Sequence, residues 1–198
     1  MIKDLLWACV VCGAVESLRR HDNQERCTEC GALYARGLGS NIVVTKQGSA
    51  PVEKPAGEWS KLLPPVPREG SAECTVRTAD ADAPIRAYGQ YMGRYEHFGA
   101  PVEGIIQLQD ERVRFTPDPK VQNGKWSGFD WSLFDLTAIQ LSSSTLQLKA
   151  RREPVVTIRF TTSSPKLWEE RLQQAVRDAY HRAGKGDIVE FQPRIVTR

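Results

Sequence analysis

The chain has 198 residues, a formal charge of +3 and 26% charged residues. That length suits a small module plus one ordinary domain, and the 40% apolar content is enough for a packed core. The weak positive balance argues against a dedicated nucleic-acid binder, and no stretch approaches the run of about twenty apolar residues that a membrane helix needs.

The first element announces itself by its cysteines. Cys9-Val-Val-Cys12 and Cys27-Thr-Glu-Cys30 are two C-x-x-C turns separated by fourteen residues, each followed by glycine (Gly13, Gly31). Two residues between cysteines let one tight turn deliver two sulfurs to one point, so four thiolates can surround a tetrahedral ion. The expected ligands are Cys9, Cys12, Cys27 and Cys30, and the expected cofactor is a structural Zn2+. A rubredoxin-like iron site and a disulfide framework are the competing readings of the same spacing. His21 is a conceivable fifth neighbour, but it sits in a charged stretch, Arg19-Arg20-His21-Asp22, that reads as a solvated loop. Four thiolates and a divalent ion would bring the net charge to about +1. A module of this size cannot build a sufficient core alone, and metal binding worth roughly 10–16 kcal/mol would supply the difference. The module is expected to span residues 1–45.

Residues 46–74 hold Pro51, Pro55, Pro64, Pro65 and Pro67 with several glycines, and are expected to form a linker. Trp59, Leu62 and Leu63 interrupt it as a possible docking element. Cys74 is left without a partner and is expected as a free thiol at the linker's edge.

The second domain is expected over residues 75–186. Short alternating runs predict strands at Ile85–Met92, Val102–Leu108, Arg112–Phe115, Trp126–Trp131, Leu136–Leu141, Thr145–Lys149 and Val155–Phe160. Ser164-Pro165 opens a helix predicted to run to Ala183. Trp168, Leu172, Ala175, Val176 and Ala179 form its apolar stripe, and Glu169 and Glu170 are placed to meet its dipole. The fold class is therefore a small zinc ribbon plus an α+β domain, a seven-stranded antiparallel barrel or sandwich capped by a C-terminal helix. The β-prone tail, residues 187–198, is expected to add an edge strand.

Seven strands closed by a long amphipathic helix carrying Trp168 resemble the pleckstrin-homology-like superfold, including its GRAM-type members. The four cysteines resemble the zinc-ribbon class. The first resemblance implies a module that recognises phosphoinositides, phosphopeptides or folded partners. Its lipid-binding members cluster cations in the first strand–strand loop. That loop, read here as Glu96–Pro101, has no Lys or Arg, which argues against phosphoinositide recognition.

The resulting expectation is a non-enzymatic, cytoplasmic adaptor or scaffold with a protein partner. Peripheral association with anionic membrane lipid is one alternative. Nucleic-acid contact through Arg19, Arg20, Arg26 and Arg36 is another. The sequence holds no phosphate-binding glycine loop, nucleophile elbow or H-E-x-x-H motif, and His21, His97 and His181 are scattered, so no catalytic residue is expected.

Overall fold

The computed structural model describes residues 1–120, 126–142 and 144–185, with the side chains of residues 81–83, 85 and 91–95 also left aside. The chain divides into two compact units, Met1–Val66 and Pro67–Arg198. The tail, residues 187–198, lies outside the described residues.

The first unit is a five-stranded antiparallel meander, in which each strand pairs with the next. Its strands are β1 (Leu18–His21), β2 (Gln24–Cys27), β3 (Leu33–Arg36), β4 (Asn41–Thr45) and β5 (Val52–Pro55), followed by the short helix α1 (Ala56–Ser60). The sheet thus continues into the stretch expected to be linker. The prolines did dictate extended chain there, but Val52–Pro55 uses that conformation to pair as an edge strand, and Pro55, at the strand's end, sits where a proline is tolerated. Trp59 then folds back, 6% exposed, and its indole Nε1 donates to the Ile42 carbonyl at 2.9 Å. Leu6, Leu18, Tyr34, Ile42 and Val44 complete this core. One buried charge anchors the start of the chain. The Glu25 carboxylate, 6% exposed, accepts the Ile2 and Lys3 backbone N–H groups at 2.8 and 2.7 Å and so satisfies the turn Ile2–Asp4.

The second unit is a mostly antiparallel sheet curled into a half-barrel, with a C-terminal helix. Its strands are β6 (Gly70–Ala87), β7 (Gln90–Phe98), β8 (Val102–Gln109), β9 (Arg112–Pro117), β10 (Phe129–Ser132), β11 (Leu136–Ser142), β12 (Thr145–Ala150) and β13 (Val156–Phe160). The order across the half-barrel is β10-β9-β8-β6-β13-β12-β11, with β7 paired to β6 off that path. Two meanders therefore meet at β6 and β13. The core is built from the inward positions of the period-two pattern, among them Val76, Ile106, Phe115, Leu146, Leu148, Val156 and Ile158.

Several expectations needed correction in this unit. The first strand begins at Gly70, because Ala72, Cys74 and Val76 alternate inward against exposed Glu73 and Arg77. Cys74 is accordingly a core residue, 2% exposed, rather than a thiol at a linker edge, and burial pushes its pKa up to about 12. Ile85–Met92 is not one strand. Tyr88 and Gly89 both take positive φ (52° and 78°), so the chain reverses there and two strands replace one. Glu96–Phe98 belongs to β7, so the first strand–strand turn is Tyr88-Gly89 and not Glu96–Pro101. The register of β6 with β8 runs from Gly70↔Leu108 to Val76↔Val102, and then passes to β7 from Ala79↔Phe98 to Ala87↔Gln90. One long strand thus leaves the sheet as half of a two-stranded ribbon. The predicted strand Trp126–Trp131 is shorter, starting at Phe129. Gly128 turns the chain just before it at φ 85°, and Trp126 instead stacks on Phe115 with ring centroids 5.3 Å apart.

The helix α2 (Pro165–Arg182) starts as the sequence predicts, with the Ser164 side chain accepting the Leu167 N–H. Trp168 is wholly buried. Its Nε1 donates to the Ser163 hydroxyl at 2.9 Å, its ring stacks on Phe160, and the Arg171 guanidinium lies 4.8 Å over it. Glu169 and Glu170 pair with Lys166 at 2.6 and 3.6 Å, an i,i+3 and i,i+4 arrangement beyond the dipole contact expected of them.

Close packing of the meander leaves no room for a side chain at Gly104 or at Gly128. A Cβ on Gly104 would lie 2.3 Å from the Thr116 carbonyl oxygen and 2.7 Å from the Phe115 ring. Gly104→Ala is expected to cost about 1–3 kcal/mol, as overpacking of a core does, measured as a lower urea midpoint for the second unit at unchanged slope.

Candidate metal centre

The four cysteines converge from two equivalent turns. In the first, the Cys9 N–H donates to Ala14 O at 2.9 Å and the Gly13 N–H to Cys9 O at 2.8 Å. In the second, the Cys27 N–H donates to Ala32 O at 2.9 Å and the Gly31 N–H to Cys27 O at 3.0 Å. Both glycines have positive φ (77° and 72°), the conformation that lets the chain leave a two-cysteine turn. The Thr28 N–H donates to Ser17 O at 2.9 Å and ties one turn to the other.

All four sulfurs lie within 4.8 Å of one another. Cys9 Sγ is 3.5 Å from Cys30 Sγ, and Cys12 Sγ is 3.7 Å from Cys27 Sγ. A regular tetrahedron with 2.3 Å metal–sulfur bonds has edges of about 3.8 Å. The observed spacings fit that figure and are far beyond the roughly 2.05 Å of a disulfide. The residues therefore suit a tetrahedral thiolate-bound ion and do not form the disulfide framework. Cys9 and Cys27 are buried, Cys30 is half-buried and Cys12 is exposed.

Two further side chains meet the sulfurs: Tyr34, which the sequence suggests only as an apolar wall beside the second turn, and Ser17, which it does not single out. Tyr34 Oη accepts the Val10 N–H at 3.0 Å, which leaves its own proton to donate to Cys9 Sγ, also at 3.0 Å. Ser17 Oγ lies 3.3 Å from Cys27 Sγ. Tyr34 follows Cys30 by four residues, on the strand that leaves the second turn, and that placement was the available signal. An outer donor such as Tyr34 fixes the orientation of a metal ligand and spreads its charge, whereas the Ser17 hydroxyl donates to the Ala14 carbonyl at 2.9 Å.

The thiols do not ionise alike. Burial opposes ionisation of Cys27, but the Ser17 hydroxyl and the Cys30 and Glu29 backbone N–H groups outweigh it and lower its pKa to about 6. Cys30 is pushed up to about 12, first by burial and then by the adjoining thiols. Tyr34 is raised, by burial and then by Cys9. Four negative charges this close need a cation between them.

The other candidate residues are only partly gathered. Arg19 stands directly opposite Arg26 in register, and with Arg20 and His21 they border a groove of about 560 Å³ beside the second turn. The Arg26 guanidinium reaches Gly31, within 3.4 Å of where a Cβ would stand. A thiolate centre with a divalent ion carries a net charge of about −2, so these cations have a charge to balance at home. Arg36 is elsewhere, in the groove beside Glu25. His21 ends β1, is exposed, and does not join the sulfur cluster. His97 on β7 and His181 near the end of α2 are exposed residues of the second unit.

No protein-family model matches the chain, and no curated protein matches it.

Removing the Tyr34 hydroxyl is expected to loosen metal without unfolding the apolar core. Tyr34→Phe should raise the apparent dissociation constant for zinc about ten-fold, measured by competition with a chromophoric chelator. Cys27→Ser, which removes a ligand, should abolish stoichiometric binding in the same assay.

Proposed function

We propose that the protein is a non-enzymatic binding or scaffolding protein, in which a structural zinc ion holds the first unit and the second unit is a recognition domain of pleckstrin-homology-like type. The single observation that carries the zinc reading is the four-sulfur cage, whose spacing matches tetrahedral coordination and one of whose sulfurs receives the Tyr34 hydroxyl. With four protein ligands no coordination position is left for a substrate, which is the pattern of a structural site. When bound, the ion supplies charge neutralisation and cross-linking. Zinc suits this thiolate set, and iron in the same cage remains the competing metal.

The recognition reading is supported by the arrangement of the second unit. Seven antiparallel strands form one curled sheet, its inward face is filled by core side chains, and an amphipathic helix follows the last strand. The interior holds packed hydrophobes, so binding would use the outer faces. Protein purified without chelators is expected to carry one equivalent of zinc per chain by elemental analysis and to retain a specific protein partner after stringent washing. Iron in place of zinc, or turnover of a lipid or phosphoester substrate, would replace this reading.

Peripheral membrane association is favoured by a specific observation. The corrected first strand–strand turn, Tyr88-Gly89, lies at the end of the ribbon, and Tyr88 is fully exposed. Residues 84–95 hold Arg86 and Arg94, three tyrosines and no acidic residue, whereas Asp80, Asp82 and Glu96 lie toward the ribbon's base. Aromatic residues flanked by cations suit the headgroup region of an anionic bilayer. Sedimentation with vesicles of phosphatidylcholine and phosphatidylserine should occur at low salt, fall as salt rises, and fall several-fold in Tyr88→Ser. An absence of sedimentation at low salt removes this second reading.

A further inference from the structure

The outer face of the second unit carries a groove that neither the metal centre nor the ribbon tip accounts for. Its volume is about 920 Å³, within the range of small-molecule sites. The register of three strands builds its floor. Arg77 on β6 faces Thr157 on β13, Thr75 on β6 faces Arg159 on β13, and Thr75 also faces Glu103 on β8. These are the outward positions of strands whose inward positions, Val76, Val156 and Ile158, are buried. Phe98 and Pro101, where the chain passes from β7 to β8, wall one end.

The two arginines differ in how they are held. Arg77 Nε donates to Gly99 O at 2.9 Å and its Nη2 to Phe98 O at 3.0 Å, so this guanidinium is fixed at the wall of the groove with its other terminal nitrogen left over. The Arg159 guanidinium makes no hydrogen bond or ion pair among the described residues. The two occupy a diagonal cross-strand position, about 7–8 Å apart at the backbone. That is close enough for two long side chains to share one oxyanion. Among the described residues no acid stands between the two; Glu103 lies one strand over, opposite Thr75 and diagonal to Arg77, and the Asp80 carboxylate lies against Gly99, whose carbonyl Arg77 bonds. Two like charges so placed repel each other, and a dianion relieves this better than a monoanion does. A phosphate monoester carries about −1.5 to −2 charge at pH 7 and three strong acceptor oxygens. A carboxylate brings one charge and two oxygens. The hydroxyls of Thr75 and Thr157, between the cations, supply donors for the remaining oxygens.

We propose that this groove binds a phosphate monoester, with Arg77 and Arg159 sharing its oxyanion and Thr75 and Thr157 donating to it. Glu103, one strand further on, is placed to accept a donor group on the ligand. The inference rests on the second unit being a recognition domain and names the ligand chemistry of one of its faces. It is independent of the metal and of the ribbon tip.

The test uses the full chain with its metal in place. O-phospho-L-serine and inorganic phosphate are titrated by calorimetry, with L-serine as the control, and phosphatidic acid vesicles are tested by sedimentation. A saturable response to phosphoserine identifies a soluble source of the phosphate and a response to the vesicles alone a lipid source. Either supports the proposal if Arg159→Gln weakens it about ten-fold, the effect of one charge-assisted contact, while Arg36→Gln, which removes the same charge from the other unit, does not. Arg159 is exposed, and an unchanged thermal melt will show that the variant folds. No saturable response in any arm, or one undiminished in Arg159→Gln, overturns the proposal. A failed titration leaves the scaffold reading standing, because that is tested by partner retention.

Discussion

Four sulfurs held within 4.8 Å of one another are an electrostatic problem before they are a structural solution. Each thiol that ionises makes the next harder to ionise, and burial already holds the Cys30 thiol up. A divalent cation reverses that sign, and each added thiolate then stabilises the cluster. The first unit is arranged around this reversal. Its two turns present sulfurs, Tyr34 places a proton against one of them, Ser17 Oγ lies beside another, and Arg26 lies over the second turn where Gly31 leaves room. The apolar core of Leu18, Tyr34, Ile42 and Trp59 packs beside the same point.

Among the described residues the second unit has no such centre. It rests on alternation along the strands and on the apolar stripe of α2. Trp168 joins the two, because its ring is stacked on Phe160 of the last strand while its indole nitrogen bonds Ser163 just before the helix. Burial of an aromatic ring with its one polar atom satisfied gives a large hydrophobic gain without a desolvated donor.

Local chemistry was legible in the sequence wherever one residue type has few alternatives. Paired cysteines at fixed spacing named the ligands, and Ser164-Pro165 named the helix start. Long alternating runs such as Thr145–Lys149 named strands. Where the outcome turned on non-local pairing, the reading fell short. Gly70 and Ala72 are weak strand formers, so the start of β6 reads as linker in the sequence, and only pairing to β8 and β13 reveals it. Tyr88 gave no turn signal, since a tyrosine with positive φ is uncommon and its glycine neighbour alone was too little. The prolines before residue 56 suggest a tether, yet an edge strand accepts them. Tyr34 and Ser17 carry no motif, because a hydrogen bond to sulfur depends on where two turns meet rather than on spacing in either.

The shared strand β6 has a mechanical meaning. Its first half lies between β8 and β13 in the middle of the half-barrel, and its second half is one arm of the ribbon. A load applied to the far end of that arm therefore travels along covalent backbone into the central seam of the sheet, past the register shift between Ala79 and Ala81. Whatever grips the arm pulls on the same strand that carries Thr75 and Arg77, so tension at one surface would be felt as a change of shape at another.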